Sequence, residues 1–226
     1  LYAGNTFFQN PSDKILMSKI RIFSYLPNPR VWKAVIAGKL CNVEVEVIGD
    51  KPKNLPNWLW DYDARILDEE EKQSSPHRLE GKRGFTGDLF KTSEFLNQHP
   101  FGTVPAAFVG ENKIGVFESN SIMRAVTRMS SSTELYGGKD SSLSSRIDSF
   151  LDANLVFSRE HQVYILSIEN LNSYTYERMT SAYEFYLDGI ELSLSTNKYI
   201  AGNKLSLADI SFVCDFSQFL REGHFV

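Results

Sequence analysis

The sequence predicts an α/β domain followed by an all-helical domain, and two contrasting patterns carry this prediction. Over Lys19–Tyr25 apolar and polar residues alternate as in a half-buried strand, whereas from Ile147 onward apolar residues recur at the spacing of one helix face. Residues 130–145 are rich in serine and show no apolar period, which is typical of a linker. We therefore predict an α/β domain over 19–129 and an all-α domain over 146–226.

The α/β part begins with a strand, a helix and a second strand. Pro27-Asn-Pro ends the first strand, and a helical run follows over Arg30–Leu40. Gly38 to Asn42 ends that helix before a second strand over Val43–Ile48. With the later hairpin described below, these elements predict a mixed sheet with helices packed on it.

The helical part contains two long helices joined near residues 171–173. It ends in a buried helix opened by Ser206-Leu-Ala-Asp209, an N-cap serine with an acidic residue three positions on. We predict that this box has a structural role.

The segment from Phe101 to Met123 carries the strongest functional signal. Val104-Pro105 precedes a predicted strand, a short turn and a second strand follow, and a helix begins near Glu118 or Ser119. A residue before proline is extended, so Val104 can present its backbone hydrogen-bonding groups to a peptide lying alongside. The helix start suits a carboxylate and Glu118 suits an ammonium group. The alternative is an ordinary hairpin followed by a helix that Ser119 caps.

At these residues the sequence resembles the glutathione transferase superfamily, in which an α/β thioredoxin-like domain precedes an all-α domain. The resemblance implies that Val104, Pro105, Glu118 and Ser119 bind glutathione, which is a substrate. Asn28-Pro-Arg-Val-Trp-Lys-Ala, Phe117-Glu-Ser-Asn-Ser-Ile and Ser206-Leu-Ala-Asp-Ile are similar to runs in the elongation factor 1B gamma family. Members of the superfamily continue with further helices, so we expect this chain to be a fragment with a truncated helical domain. Residues 1–18 are expected to be an N-terminal extension.

Conjugation of glutathione needs a group that lowers the pKa of its thiol. The resemblance places that group at the end of the first strand or the start of the first helix, where Tyr25, Asn28 and Arg30 are the candidates. No cysteine lies there, which disfavours the thiol-exchange reductases of the superfamily. Strand alternation gives only one of Ser24 and Tyr25 the solvent face.

The resemblance implies that the glycyl end of glutathione lies near Thr103, where many superfamily members have lysine or glutamine. A hydroxyl contacts a carboxylate less strongly than an ammonium group does. Lys91, His99 or a residue of the insertion over 51–94 are candidates to replace the missing cation.

The insertion has no counterpart in the family that the sequence resembles. We expect its Trp58 and Trp60 to pack against their own domain rather than cover a partner.

Composition excludes several other classes. The formal net charge is −4 and no basic stripe occurs, which disfavours nucleic acid binding. The two cysteines, Cys41 and Cys214, lack metal or redox spacing and are predicted to be buried thiols in a reducing compartment. The four histidines are scattered, so no metal site is expected. No apolar run is long enough to span a membrane.

Two functions remain open. The first is a glutathione S-transferase that joins glutathione to a small electrophilic substrate held between the domains. The second is a non-catalytic scaffold with the same fold, like the elongation factor subunit. The resemblance further implies a cytoplasmic homodimer.

Overall fold

The computed structural model describes residues 19–82 and 85–221. The predicted extension over residues 1–18 lies outside the described residues. The strands are β1 (Lys19–Tyr25), β2 (Glu44–Asp50), β3 (Trp58–Trp60), β4 (Arg65–Ile66), β5 (Arg78–Glu80), β6 (Asp88–Lys91), β7 (Ala106–Val109) and β8 (Ile114–Phe117). The α-helices are α1 (Pro29–Cys41), α2 (Glu69–Ser74), α3 (Ser93–Gln98), α4 (Ser119–Met129), α5 (Ser141–Leu166), α6 (Ser173–Leu194) and α7 (Leu207–Arg221).

The amino-terminal domain is built on a mixed sheet in the order β2-β1-β7-β8, as the sequence predicts. Strands β1 and β2 are parallel, while β1 with β7 and β7 with β8 are antiparallel. Along β1, Ile20 and Ile22 belong to the cluster beneath the helices, whereas Phe23 belongs to a second cluster on the opposite face. This alternation is the period of two that a strand with both faces covered requires. The thioredoxin-like domain and the helical domain that follows are thus both present.

One hydrophobic core joins the two domains. Ile22 from β1, Leu151 from α5 and Leu207 from α7 are each fully buried in the same cluster. Helix α1 packs against both α4 and α7, so it lies between the sheet and the helical domain.

The insertion forms a sheet of its own, in the order β4-β3-β6-β5, and covers the face of the main sheet opposite α1. Trp60 is 1% exposed and its ring lies 5.5 Å from that of Phe23 and 6.0 Å from that of Phe95. The expectation that Trp58 and Trp60 pack against their own domain is confirmed. The sequence did not predict these strands, because segments of two to four residues are too short to show a period.

Helix α5 begins inside the predicted linker. Asp140 caps it by accepting hydrogen bonds from the backbone N–H groups of Ser142 and Leu143, at 2.9 and 3.1 Å. The following serines bond back to carbonyls one turn earlier, which lets a serine-rich run remain helical. The linker therefore ends before residue 141 rather than at 145.

The box at Ser206 forms as predicted. The backbone N–H of Ser206 donates to the Asp209 carboxylate at 2.9 Å, which completes the box that starts α7. Both cysteines are free thiols; Cys214 is buried as predicted, whereas Cys41 is only half-buried, so the prediction is wrong for Cys41. Across residues 19–82 and 85–221, no helix combines the length and apolar character needed to cross a bilayer.

Candidate functional site

Val104 follows the loop over residues 100–103 and lies two residues before β7. Its bond with Pro105 is cis, and Pro105 is buried while Val104 is half-buried. Among the described residues, the backbone groups of Val104 form no hydrogen bond. They remain available to a peptide placed alongside, as the prediction requires.

The pairing of β7 with β8 brings Glu118 and Ser119 next to this edge, because Ala106 lies opposite Phe117. Glu118 is exposed, with φ of 66° and ψ of 126°, and it precedes the first residue of α4. A positive φ at a residue other than glycine costs of order 1–3 kcal/mol and persists where the surroundings hold it. Here it turns the chain so that α4 starts beside Val104.

Ser119 is the first helical residue of α4 and not its cap, so the alternative interpretation of Ser119 as a helix cap is wrong. The residue is only 4% exposed, and its hydroxyl oxygen accepts a hydrogen bond from Lys33 at 3.3 Å. Within the described ranges, the Ser119 hydroxyl donates no hydrogen bond. Its oxygen thus faces the buried Lys33 ammonium group, while its proton has no acceptor there.

Lys33 is a site residue that the sequence analysis missed. The side chain is 1% exposed and its ammonium group donates to Asp215 at 2.7 Å and to Asn120 at 2.9 Å. Ser158 also donates to Asp215, at 2.6 Å. Burial lowers the pKa of Lys33, and Asp215 opposes part of that effect. The signal in the sequence was one lysine on the apolar face of α1 and one aspartate in the apolar run of α7, but only the fold pairs them.

Asn28 caps α1. Its side-chain oxygen accepts from the backbone N–H of Arg30 at 3.0 Å, and its amide donates to the Ser24 hydroxyl at 3.0 Å. Both Asn28 and Ser24 are fully buried. This placement weighs against direct contact between Asn28 and a ligand sulfur.

Tyr25 and Arg30 are each half-buried. Tyr25 lies on the same face of β1 as Phe23 and packs against the second cluster, and burial raises the pKa of its phenol, with the Arg30 charge opposing. The positive charge of Arg30 also lowers the pKa values of Lys33 and of His161 on α5, although burial has the larger effect on both. Arg30 forms no ion pair with any carboxylate in the described part of the chain. The guanidinium thus adds a positive charge at the start of α1.

The residues proposed for the glycyl end fall in different places. His99 is 1% exposed and packs among aromatic rings, at 5.1 Å from Phe95 and 4.9 Å from Phe108. It cannot contact a ligand carboxylate from there, so that suggestion is wrong. Lys91, the half-buried last residue of β6, donates to the carbonyl oxygen of Gly102 at 2.7 Å, next to Thr103.

The chain is similar in sequence to proteins of known families. Residues 155–222 match the profile described as "Glutathione S-transferase, C-terminal domain". Elongation factor 1-gamma of Mus musculus is 27% identical over 196 residues, which cover 85% of this chain and 37% of that protein. The chain thus spans little more than a third of the length of these relatives.

A further curated relative and a solved structure extend the comparison. The "Glutathione S-transferase-like protein LUC7" of a Fusarium species is 25% identical, covering 84% of this chain and 73% of that protein. A glutathione S-transferase of Methylobacillus flagellatus, solved with glutathione bound, superposes with a TM-score of 0.63 at 12% identity. That match covers 91% of this chain and 86% of the other, and it shows that the fold is shared.

Proposed function

Because the chain is a protein of the glutathione transferase superfamily, we propose that it binds glutathione and transfers the peptide's sulfur to a small electrophile held between its two domains. The observation that carries the proposal is the juxtaposition of two unused sets of hydrogen-bonding groups. The backbone of Val104 makes no hydrogen bond among the described residues, and the first turn of α4 begins beside it. Together they match an extended peptide that ends in an ammonium and a carboxylate.

In this proposal each residue has a distinct task. Val104 and Pro105 pair with the cysteinyl backbone, Glu118 takes the ammonium group, and Ser119 donates to the γ-glutamyl carboxylate. The Lys33 ammonium supports Ser119 by occupying the oxygen of its hydroxyl, which leaves the proton for the ligand. A hydrogen bond to a charged group is worth roughly 1.5–3 kcal/mol.

The sulfur is activated by Arg30 and Tyr25. A positive charge near the thiol lowers its pKa, and the protonated Tyr25 phenol donates to the resulting thiolate. The thiolate then forms a carbon–sulfur bond to the electrophile while the leaving group departs with its electron pair, and the thiol proton passes to water. Asn28 contributes indirectly by fixing the start of α1.

The second candidate is a scaffold that binds partners without catalysis. It is favoured by the burial of Asn28, which removes one of three candidates for thiol activation, and by the similarity to elongation factor 1-gamma. A homodimeric state and a cytoplasmic location rest on the superfamily resemblance alone in either case.

Retention on immobilised glutathione, followed by turnover of a generic aryl chloride, tests the proposal. Ser119→Ala is expected to weaken glutathione affinity by about tenfold or more, because the carboxylate loses a charged hydrogen bond. Ser121→Ala, in the same helix and half-buried, is the matched control and should bind as the parent does. Retention without turnover favours the scaffold. Equal affinity of Ser119→Ala and the parent would refute the site assignment.

A further inference from the structure

We propose that the insertion and the loop before Val104 form a second subsite, which binds the carboxy-terminal residue of a thiol peptide and prefers an apolar side chain larger than that of glycine. This inference rests on the proposed function, and it names the class of peptide that the site selects. The ligands concerned are γ-glutamyl-cysteinyl peptides with a third residue such as leucine and a free carboxylate.

The subsite is a cavity of about 310 Å³ between the insertion and the loop over residues 100–103. Its wall is mixed in character, with the apolar side chains of Leu79, Leu96 and Phe101, the cations Lys82 and Lys91, and the carboxylate of Glu80. This volume lies at the lower end of the range for small-molecule sites, and the charged groups suit a ligand with a charged end.

The cavity lies where the carboxy-terminal end of a bound peptide would arrive. Thr103 lines it and directly precedes Val104. Glu118 follows Phe117, which pairs with Ala106, so Glu118 lies toward Pro105 and away from Thr103, and Ser119 comes level with Val104. A peptide whose γ-glutamyl end is held at α4 and whose middle pairs with Val104 therefore runs toward Thr103 and the cavity.

Lys91 provides a fixed positive charge at this end. Its ammonium group donates to the Gly102 carbonyl at 2.7 Å and lies 4.5 Å from the centre of the Trp60 ring. No carboxylate pairs with it among the described residues, and burial lowers its pKa. A partly buried cation without a counter-ion gains from an incoming carboxylate, which supplies the missing charge. Lys82, which is exposed, adds a second positive charge.

The size of the cavity argues for more than a glycyl group. Glycine has no side chain with which to reach Leu79, Leu96 or Phe101. The side chain of Phe101 is 72% exposed beside the two leucines. A leucyl side chain placed there removes apolar surface of both partners from water. Burial of one such side chain corresponds to about tenfold in affinity.

Calorimetric titration under reducing conditions tests the subsite with three peptides: glutathione, γ-Glu-Cys-Leu and the carboxy-terminal amide of γ-Glu-Cys-Leu. We expect γ-Glu-Cys-Leu to bind about tenfold more tightly than glutathione, and the amide to lose about tenfold or more of that affinity. Leu79→Ala should remove the preference for leucine while leaving glutathione affinity unchanged. Lys82→Ala should weaken both free carboxylates without affecting the amide.

Matched controls separate these effects from changes in folding. Ile66→Ala lies on the opposite edge of the same sheet and is similarly exposed, so it should leave the leucine preference intact. Lys39→Ala is the matched control for the loss of positive charge in Lys82→Ala, and it should leave the affinity for the peptides unchanged. If glutathione binds but γ-Glu-Cys-Leu binds no better, or if Leu79→Ala changes nothing, the subsite is refuted and the proposed function stands. If none of the peptides binds, both are refuted.

Discussion

At the scale of single residues, the Lys33–Asp215 pair links the two domains. Both side chains are almost fully buried, and their hydrogen bonds extend to Ser119 and Asn120 on α4 and to Ser158 on α5. Removing both charges from water is costly, and the surrounding hydrogen bonds offset that cost only while both partners are present. The pair therefore fixes the orientation of α1 against α7 and places the ammonium group behind Ser119.

Replacing one partner should destabilise the protein far more than replacing both. We expect Lys33→Met or Asp215→Leu alone to lower the free energy of unfolding by about 3–5 kcal/mol, because each leaves a buried charge unpaired. The double variant should regain most of that loss. Urea denaturation of the four proteins measures the coupling, with exposed Lys39→Met in the same helix as a control expected within about 0.5 kcal/mol of the parent. Additive losses would contradict the predicted coupling.

His99 should make stability depend on pH. Burial lowers the pKa of His99 to about 4, with a smaller opposing effect from the backbone of Ala107. The unfolded chain, with a pKa near 6.5, binds more protons between these values, so stability falls as the pH drops from 6.5 to 4. His99→Phe should reduce that fall in the free energy of unfolding by roughly 1–3 kcal/mol. Urea titrations at pH 6.5 and at pH 4 measure the difference. An unchanged pH dependence would show that His99 is not responsible.

At the scale of elements, helix α1 shows how packing overrides local preference. Its central residues follow the predicted run over Arg30–Leu40, and the observed helix exceeds it by one residue at each end. Gly38 lies in its last turns, where a methyl group would come within 2.5 Å of the Val45 side chain and 2.8 Å of the Val43 carbonyl oxygen. The close approach of α1 to β2 thus requires a glycine in a helix that would otherwise favour alanine.

Two glycine-to-alanine substitutions should therefore change the stability of the protein in opposite directions. Gly38→Ala is expected to destabilise the protein by about 1–3 kcal/mol, because the backbone carbonyl cannot move away as a side chain can. Gly189→Ala in α6, where the new methyl meets nothing within 4 Å, should stabilise it by about 0.5–1 kcal/mol through helix propensity. Thermal denaturation compares the two. Stabilisation by both would mean that α1 does not pack closely on β2.

Elements without a periodic pattern were harder to predict. Strands β3 to β6 are short, and their stability comes from contact with the main sheet rather than from their own residues. The start of α5 was missed because its first residues are serines, and the Asp140 cap is what makes them helical. In both cases a tertiary or capping contact outweighed weak local propensity.

At the scale of the whole molecule, the domains share one core. Buried residues of β1, α1 and α4 form a single cluster with those of α5, α6 and α7. An interface of this kind, crossed by a buried ion pair, does not resemble the polar contact between independent domains. The residues of the candidate site are therefore held in place by the same packing that stabilises the fold.

Unfolding should consequently be one transition. We expect calorimetry to show a single peak whose van 't Hoff enthalpy approaches the measured enthalpy, because neither domain can lose its partner without exposing the shared core. Near-UV and far-UV circular dichroism should change at the same temperature. Two resolved transitions would show that the domains are stable separately.

Local patterns in the chain were enough to predict the order of the main elements, a helical carboxy-terminal part and the Val104 edge as a candidate site. These depend on periodicity, on proline and glycine, and on short capping motifs, all of which are local in the chain. Only the tertiary structure decided that Lys33 meets Asp215, that Asn28 and His99 are buried, and that the insertion builds a cavity beside Thr103. Residues distant in the chain meet only when the core forms, and their burial and charge pairing then set what each side chain can do.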